Sequence, residues 1–471
     1  MKKLLSLILA VVMILSLCAC GGSGGGNGGE DKVDNSLEVG FGKINITPNY
    51  SVGLGGSGND KIRRSTGMVS YVFAICVALR SGGETYLLFS VDTLSINDNL
   101  ADQLRLEIIT EMPELKPENI YLMATHGHSC PTPYWPDENE GKYRQEFFKW
   151  IPQAAKAAIK DLAPATMELA QFELEGMNFV RHYIMNDGTY AGSNFGSTAS
   201  GYKEHVYDPD HEMILINFPR EGKDDVLLVN WQAHPGNGYD AAIGYYNISA
   251  DHPGWCRDQL EKLTGAKVAY FNGASGDLVP NSQIREINHG LNAKEYGIRL
   301  ADMAYEHYSE LKPVETTAIK TATRKVTVNV EHELEHLLPQ AMVIRDIYQK
   351  EGKREEANAE ARKLGLSSCF HASAICRRAN LGPTEVRELN ALALGPVGFI
   401  TCTYEMASEH AMELKEMAPF DTIFIMSGNQ RYLPREEAID YHSYEGDTRD
   451  YTREAGDMMV TNFNELLNEV K

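Results

Sequence analysis

The chain has 471 residues, 43% of them apolar and 9% aromatic, enough for a large core and incompatible with a disordered protein. A formal net charge of −21 argues against nucleic acid and anionic lipid surfaces as partners. Beyond the leader, Cys76, Cys130, Cys256, Cys369, Cys376 and Cys402 are dispersed without a CxxC pair, so they read neither as a zinc ribbon nor as a disulfide framework, although an exported chain can oxidise some of them.

Met1-Lys2-Lys3 and the apolar run Leu4 to Leu17 form the positive n-region and short h-region of an export signal. The run ends in Leu17-Cys18-Ala19-Cys20, which resembles the bacterial lipobox. Residues 1–19 then read as a lipoprotein signal peptide and Cys20 as the lipidated first residue, with an ordinary signal peptide or an uncleaved anchor as alternatives. The glycine-rich stretch 20–38 reads as a tether on the extracytoplasmic side of the cell membrane. No later apolar run reaches the roughly 20 residues that span a bilayer, so a soluble body is expected.

Val39 to Ile46 and Met68 to Arg80 read as strands around the turn-rich segment Val52 to Gly67, and Thr85 to Val91 is a strand ending on Asp92. Amphipathic helices Asn97 to Met112 and Tyr143 to Leu162 flank the apolar strand Asn119 to Ala124, which stops at Thr125-His126-Gly127-His128-Ser129-Cys130-Pro131. A His-x-His pair at a strand end can present one imidazole to a metal and leave the other beside it for proton transfer. The same pair reads equally well as two hydrogen-bonded loop histidines.

Met167 to Leu174 is a strand, Gly176 to Arg181 follows, and Asn186 to Gly201 is a polar surface loop. Asp225 to Trp231 is a second apolar strand ending in a histidine, His234, beside Pro235 and Gly236. Ligands from neighbouring strand ends are what a metal site assembled from distant segments needs. Ser249 to Gly254 opens a helix to Leu263, with Asp251 expected as its N-cap. The strand Ala266 to Phe271 runs into a small-residue loop, Asn272 to Asn281, able to bring backbone close to a ligand or simply to turn tightly.

Glu331 to about Leu364 reads as a charged helical hairpin inserted outside the core. Leu392 to Tyr404 is apolar and delivers Glu405, expected to start a helix to about Met417. Thr422 to Met426 is a strand ending at Ser427 to Pro434, and Thr452 to Val470 is the closing helix. No internal repeat and no linker follow Gly29. The expected fold is α/β, one large catalytic domain over 39–471 with mixed β-sheets flanked by helices.

The blocks Gly40 to Pro48, Ala124 to Ser129, Asn178 to Arg181, Gly273 to Asn281, Tyr404-Glu405, and Tyr432 to Pro434 through Tyr444-Glu445 resemble, in order and spacing, the catalytic domain of the neutral/alkaline, non-lysosomal ceramidases over residues 39–446. The resemblance implies one zinc ion held by His126, His234, Glu405 and Tyr432, with His128 as the catalytic proton-transfer residue and Tyr444 and Arg181 as further active-site residues. It implies a zinc-dependent amidohydrolase acting on a lipid-like N-acyl amide such as ceramide. The alternatives are a hydrolase of a different amide or ester, and a non-catalytic surface lipoprotein that binds metal or ligand.

Taken singly, Glu405 also reads as a helix N-terminal acid, Tyr432 as a packed turn aromatic and Arg181 as a surface ion-pair partner. Two departures from the family pattern stand out. Val279 occupies the place of a family serine, a change that either merely repacks a wall of the pocket or, by removing a polar group that contacts substrate, alters substrate choice. The family's additional C-terminal β-sandwich has no room before Lys471.

Overall fold

A computed structural model describes residues 36–56, 63–134, 138–192, 201–236, 243–280, 291–428 and 431–471, all belonging to one compact unit. The signal peptide, Cys20, nearly all of the tether, residues 193–200 of the polar loop, and Asn281, Asn429 and Gln430 lie outside the described residues. Three mixed sheets make up the frame, and each is built the same way.

In the first, β1 (Leu37–Asn45), β2 (Phe73–Ser81) and β3 (Glu84–Val91) pair antiparallel in turn. Helix α1 (Asp98–Glu111) then crosses over to β4 (Ile120–Ala124), which lies parallel to β3, and α2 (Glu138–Lys160) follows. In the second sheet β5 (Met167–Glu173), β6 (Glu212–Phe218) and β7 (Val226–Trp231) are again antiparallel. There α3 (Asp251–Thr264) leads to the parallel β8 (Lys267–Asn272), and α4 (Ala293–Glu306) follows. The third sheet takes β9 (Lys320–Asn329), β10 (Thr384–Leu394) and β11 (Val397–Cys402) antiparallel. Between β9 and β10 stand three helices, α5 (Leu338–Gln349), α6 (Arg354–Lys363) and α7 (Cys369–Arg378). Helix α8 (Ser408–Met417) then leads to the parallel β12 (Thr422–Ser427). After β12 come the short α9 (Glu436–Asp440) and α10 (Tyr444–Thr448), and α11 (Ala455–Val470) closes the chain.

The topology therefore repeats three times although the sequence shows no repeat. Packing explains how: inward residues of all three sheets, among them Ile75, Leu88 and Met123, Ile216, Leu228 and Phe271, and Leu392, Phe399 and Phe424, meet in one central cluster. The outer faces are covered by each unit's own helices, Leu104 and Phe147 in the first, Leu260 and Leu300 in the second, Leu414 and Phe463 in the third. Strands buried on both faces need only apolar residues in register, not particular ones, so topology can persist while identity drifts. Each such large side chain contributes roughly 1.5–3 kcal/mol on burial.

The long first-to-second strand connections, 46–72, 174–211 and 330–383, leave from the same end of the sheets as the carboxyl ends of the third and fourth strands. That follows from the pairing, since the first and third strands of each unit run parallel to one another. Among the described residues, the candidates His126, His128, Arg181, His234, Glu405, Tyr432 and Tyr444 all lie on the segments that leave the sheets at this end.

Several expectations change. The run Met68 to Arg80 is not one strand, because only Phe73–Ser81 joins the large sheet. The apolar stretch Leu392 to Tyr404 is two strands folded back at Gly395, whose φ of 56° makes the turn. The segments Glu212–Phe218 and Lys320–Asn329, unassigned from sequence, are strands. The charged helical segment is not a solvated hairpin. With α7 it makes a three-helix unit whose own core joins Ala341, Ile344, Tyr348, Ala357, Ala361, Cys369 and Ile375, with Ala357 and Ala361 as the close-packing contacts of the charged α6. The six cysteines are buried and free. No described helix is long and apolar enough to cross a membrane.

Candidate functional site

At the carboxyl end of β4 the chain turns sharply through His126, which takes a left-handed φ of 63° that non-glycine residues seldom adopt. Thr125 Oγ1 donates to buried Asp92 at 3.3 Å, and the His126 Nδ1–H donates to the Leu94 carbonyl at 2.9 Å. Leu94 belongs to the loop after β3, so the first unit's two strand-end loops fix this ring. His234, beyond β7, is held alike, its Nδ1–H donating to the Ser275 carbonyl at 3.2 Å in the loop after β8. A backbone carbonyl on one ring nitrogen fixes the tautomer and leaves the other nitrogen as a lone pair, the arrangement that metal-ligating histidines show.

The rings of His126, His128 and His234 form a near-equilateral set with centroids 4.7–5.1 Å apart. One nitrogen from each lies within 4.8 Å of the others. His128 Nε2 is 2.9 Å from His234 Nε2, and the His128 ring packs on Gly56, where a Cβ would collide with it. Burial, followed by the neighbouring His126 and Arg63, pushes the His128 pKa well below the ordinary imidazole range, so this ring is neutral at neutral pH.

Glu405 comes from the third unit. The expectation that it opens a helix is corrected: it sits in the short bridge strand Glu405–Met406, paired in parallel with Tyr432–Leu433, and the following helix starts at Ser408. That pairing puts Glu405 directly beside Tyr432. Glu405 Oε2 lies 3.4 Å from His126 Nε2 and 3.8 Å from His234 Nδ1. Both Glu405 Oε2 and His126 Nε2 are buried without a hydrogen-bond partner among the described residues. A carboxylate oxygen facing an imidazole lone pair is repulsive unless a cation or proton lies between them. Two imidazoles with fixed tautomers, a carboxylate and a phenol form a donor set that suits zinc, so these residues fit a divalent metal.

Arg181 borders this group. Its guanidinium donates to the Gly276 carbonyl at 2.7 Å and to Tyr432 Oη at 3.4 Å and pairs with buried Glu445, while its Nε–H has no partner among the described residues. It is thus a buried ion pair and not a surface one. Glu445 also takes His182 at 2.7 Å, and Tyr441 Oη bridges to the far side of the same imidazole at 2.7 Å. Burial alone would raise the Glu445 carboxyl, but Arg181 and His182 hold it down at about 2. The Tyr444 ring meets the Tyr432 ring edge-on at 5.7 Å and Phe370 of α7 at 5.8 Å; burial, then Glu405, pushes its phenol up to about 12.

The structure therefore brings His126, His128, His234, Glu405, Tyr432, Arg181 and Tyr444 to one place. An open cleft of about 180 Å³ adjoins them, bordered by Glu405, Tyr432, Glu445, Asp277, Tyr207 and Tyr441. The small-residue loop after β8 brings its backbone close, as expected, but against Glu405: Gly276 N donates to the Met406 carbonyl at 2.9 Å and leaves no room for a Cβ. Val279 lies buried in the strand Leu278–Pro280, opposite Phe179. A second cluster, His410, Glu413 and Asp457, is filled by Arg435 Nη1 at 3.1, 2.7 and 3.4 Å and holds no metal space.

Sequence reasoning passed over Glu445, His182, Tyr441 and Arg63. The dipeptides Arg181-His182 and Tyr444-Glu445 were the available signal, each setting an unrecognised residue next to a recognised one, with Arg181 and His182 both pairing with Glu445. Asp251, expected as an N-cap, caps nothing: the cap position is Ala250, and Asp251 is turned inward, fully buried, with φ of 49°.

No protein-family model and no curated protein matches the sequence. Among solved structures the chain is similar to the neutral ceramidase from Pseudomonas aeruginosa, with 15% identity and a TM-score of 0.67 over 93% of this chain and 74% of that one. It is similar to a ceramidase complexed with C2 to the same degree, with 16% identity and a TM-score of 0.67 over 92% of this chain and 75% of that one. These likenesses show a ceramidase-like fold.

Proposed function

We propose that this chain is a zinc-dependent, ceramidase-like hydrolase that cleaves the amide bond of an N-acyl lipid or lipid-like molecule, tethered through lipidated Cys20 on the extracytoplasmic side of a cell membrane. Support for the chemistry comes above all from two imidazoles with carbonyl-fixed tautomers beside an orphaned carboxylate oxygen, at the strand ends of a ceramidase-like fold. In this reading His126, His234, Glu405 and Tyr432 hold the metal. Bound there, zinc supplies Lewis acidity that activates water near neutral pH and polarises an acyl carbonyl.

The chain's own groups do the rest. His128, neutral and adjacent, takes a proton from the attacking water and returns it to the departing nitrogen. Tyr444 keeps its phenolic proton and donates it in a hydrogen bond to the developing oxyanion, and the free Arg181 Nε–H is a second donor. Glu445 and His182 keep Arg181 charged and aimed. Val279 offers no hydroxyl to substrate, which shifts selection toward whatever needs no hydrogen bond there.

A variant arrangement, with His128 as a third nitrogen ligand, is favoured by its 2.9 Å approach to His234. The test of function is a panel of N-acyl amides, ceramides included, offered to zinc-loaded protein starting at about Leu37. Turnover that chelation stops and zinc restores supports hydrolysis; firm zinc binding with no turnover of any amide or ester supports a non-catalytic binding protein.

A further inference from the structure

Asp251 is the first residue of α3, the crossover after the strand that ends in His234, yet its carboxylate points away from its own helix. It is completely buried, held at a φ of 49°, and Oδ2 accepts the Ser129 backbone N–H at 2.9 Å. The ideal Cβ position at Gly127 lies 3.5 Å from Oδ2 and that at Gly236 lies 3.4 Å from Oδ1. The carboxylate therefore lies between His126-Gly127-His128-Ser129 and His234-Pro235-Gly236, hydrogen-bonded to the first and facing Gly236 of the second, where no Cβ intervenes. A second buried group grips the first loop from its other side, since Arg63 donates to the His128 carbonyl and, at 3.3 Å, to Ser129 Oγ. Oδ1 has no hydrogen-bond partner among the described residues.

Backbone strain and a buried, half-satisfied carboxylate are each costly, and they persist where the surroundings demand them. Both histidine-bearing loops leave the ends of strands in different sheets, so nothing in either sheet alone fixes their separation. We propose that Asp251 is the positioning residue of the metal centre: it pins the His126–Ser129 loop through Ser129 N–H and sets its spacing from the His234 loop. The inference rests on the metal reading above.

The test is zinc affinity, together with the visible spectrum of the cobalt-substituted protein, for the wild type and for Asp251→Asn, Asp251→Ala and Asp251→Ser. Asparagine keeps both the volume and an acceptor for Ser129 N–H, so it retains affinity within a few-fold and the wild-type spectrum. Alanine removes both and lowers affinity by about 10- to 100-fold, the usual scale for outer-shell partners, with altered cobalt bands. Serine is too short to reach Ser129 N–H and carries the same test should the alanine form not fold. Wild-type affinity and spectrum in the alanine or serine form overturn the inference, as does an asparagine form as impaired as alanine. A wild-type protein that takes up no metal refutes the metal reading itself.

Discussion

His126 and His234 each donate Nδ1–H to a backbone carbonyl of a neighbouring strand-end loop, and the proposed division between metal ligands and proton carrier rests on this. His128→Ala is accordingly expected to keep its zinc while turnover falls by roughly 10²-fold or more, the scale of a general acid–base group. Metal analysis beside a rate assay checks it, and loss of zinc along with activity makes His128 a ligand. At this scale the sequence was informative wherever a residue's type announces its chemistry, as with strand-end histidines beside proline and glycine. It was uninformative where type is ambiguous. Asp251 follows a serine and precedes a helix, the local pattern of a cap, and only the fold shows a neighbouring loop competing for its carboxylate.

At the scale of elements, α10 carries the site's electrostatic support. The Glu445 carboxyl, ordinarily near 4.5, is held at about 2, and Asp447 in the same helix is likewise lowered to about 2, against burial, by His371 among others. A depressed carboxyl pKa adds stability that is complete above the unfolded value and drains away as pH falls toward the folded one. The protection of residues 441–449, their exchange relative to the intrinsic amide rate at the same pH, is therefore expected to fall between pH 4.5 and 2, and Glu445→Gln to be less protected already at neutral pH, with a flatter acid dependence. Exchange of the variant that matches wild type at pH 7 removes Glu445 from this role. The three-helix unit reaches the site through Phe370 on Tyr444, an edge contact worth about 0.5–1.5 kcal/mol. Phe370→Ala is expected to lower kcat several-fold with metal content unchanged; unaltered kcat means the unit is a bystander. The helices α5 and α6 were legible as helices, but their burial was not, because alanine spacing on a charged helix looks alike whether it faces solvent or a close-packed neighbour.

Over the whole molecule, three units of one topology direct their third- and fourth-strand ends to one pole, and each supplies a share of the site: His126 and His128 from the first, His234 from the second, Glu405 and Tyr432 from the third. The α/β class and most strands could be read from apolar runs, whereas the repetition could not, since doubly buried strands conserve pattern and not identity. The proposed anchor also belongs to this scale. Cys20→Ser is expected to release the protein from the membrane fraction or stall its processing, while protein starting at about Leu37 stays soluble; a Cys20→Ser protein that remains membrane-bound with a mature N-terminus rules the lipid anchor out. Elemental analysis of purified protein bears most directly on the convergence of the three units upon a metal. About one zinc per chain is expected in the wild type, lost in His126→Ala and in His234→Ala; a wild type that holds no metal, or either variant keeping its full zinc, contradicts it.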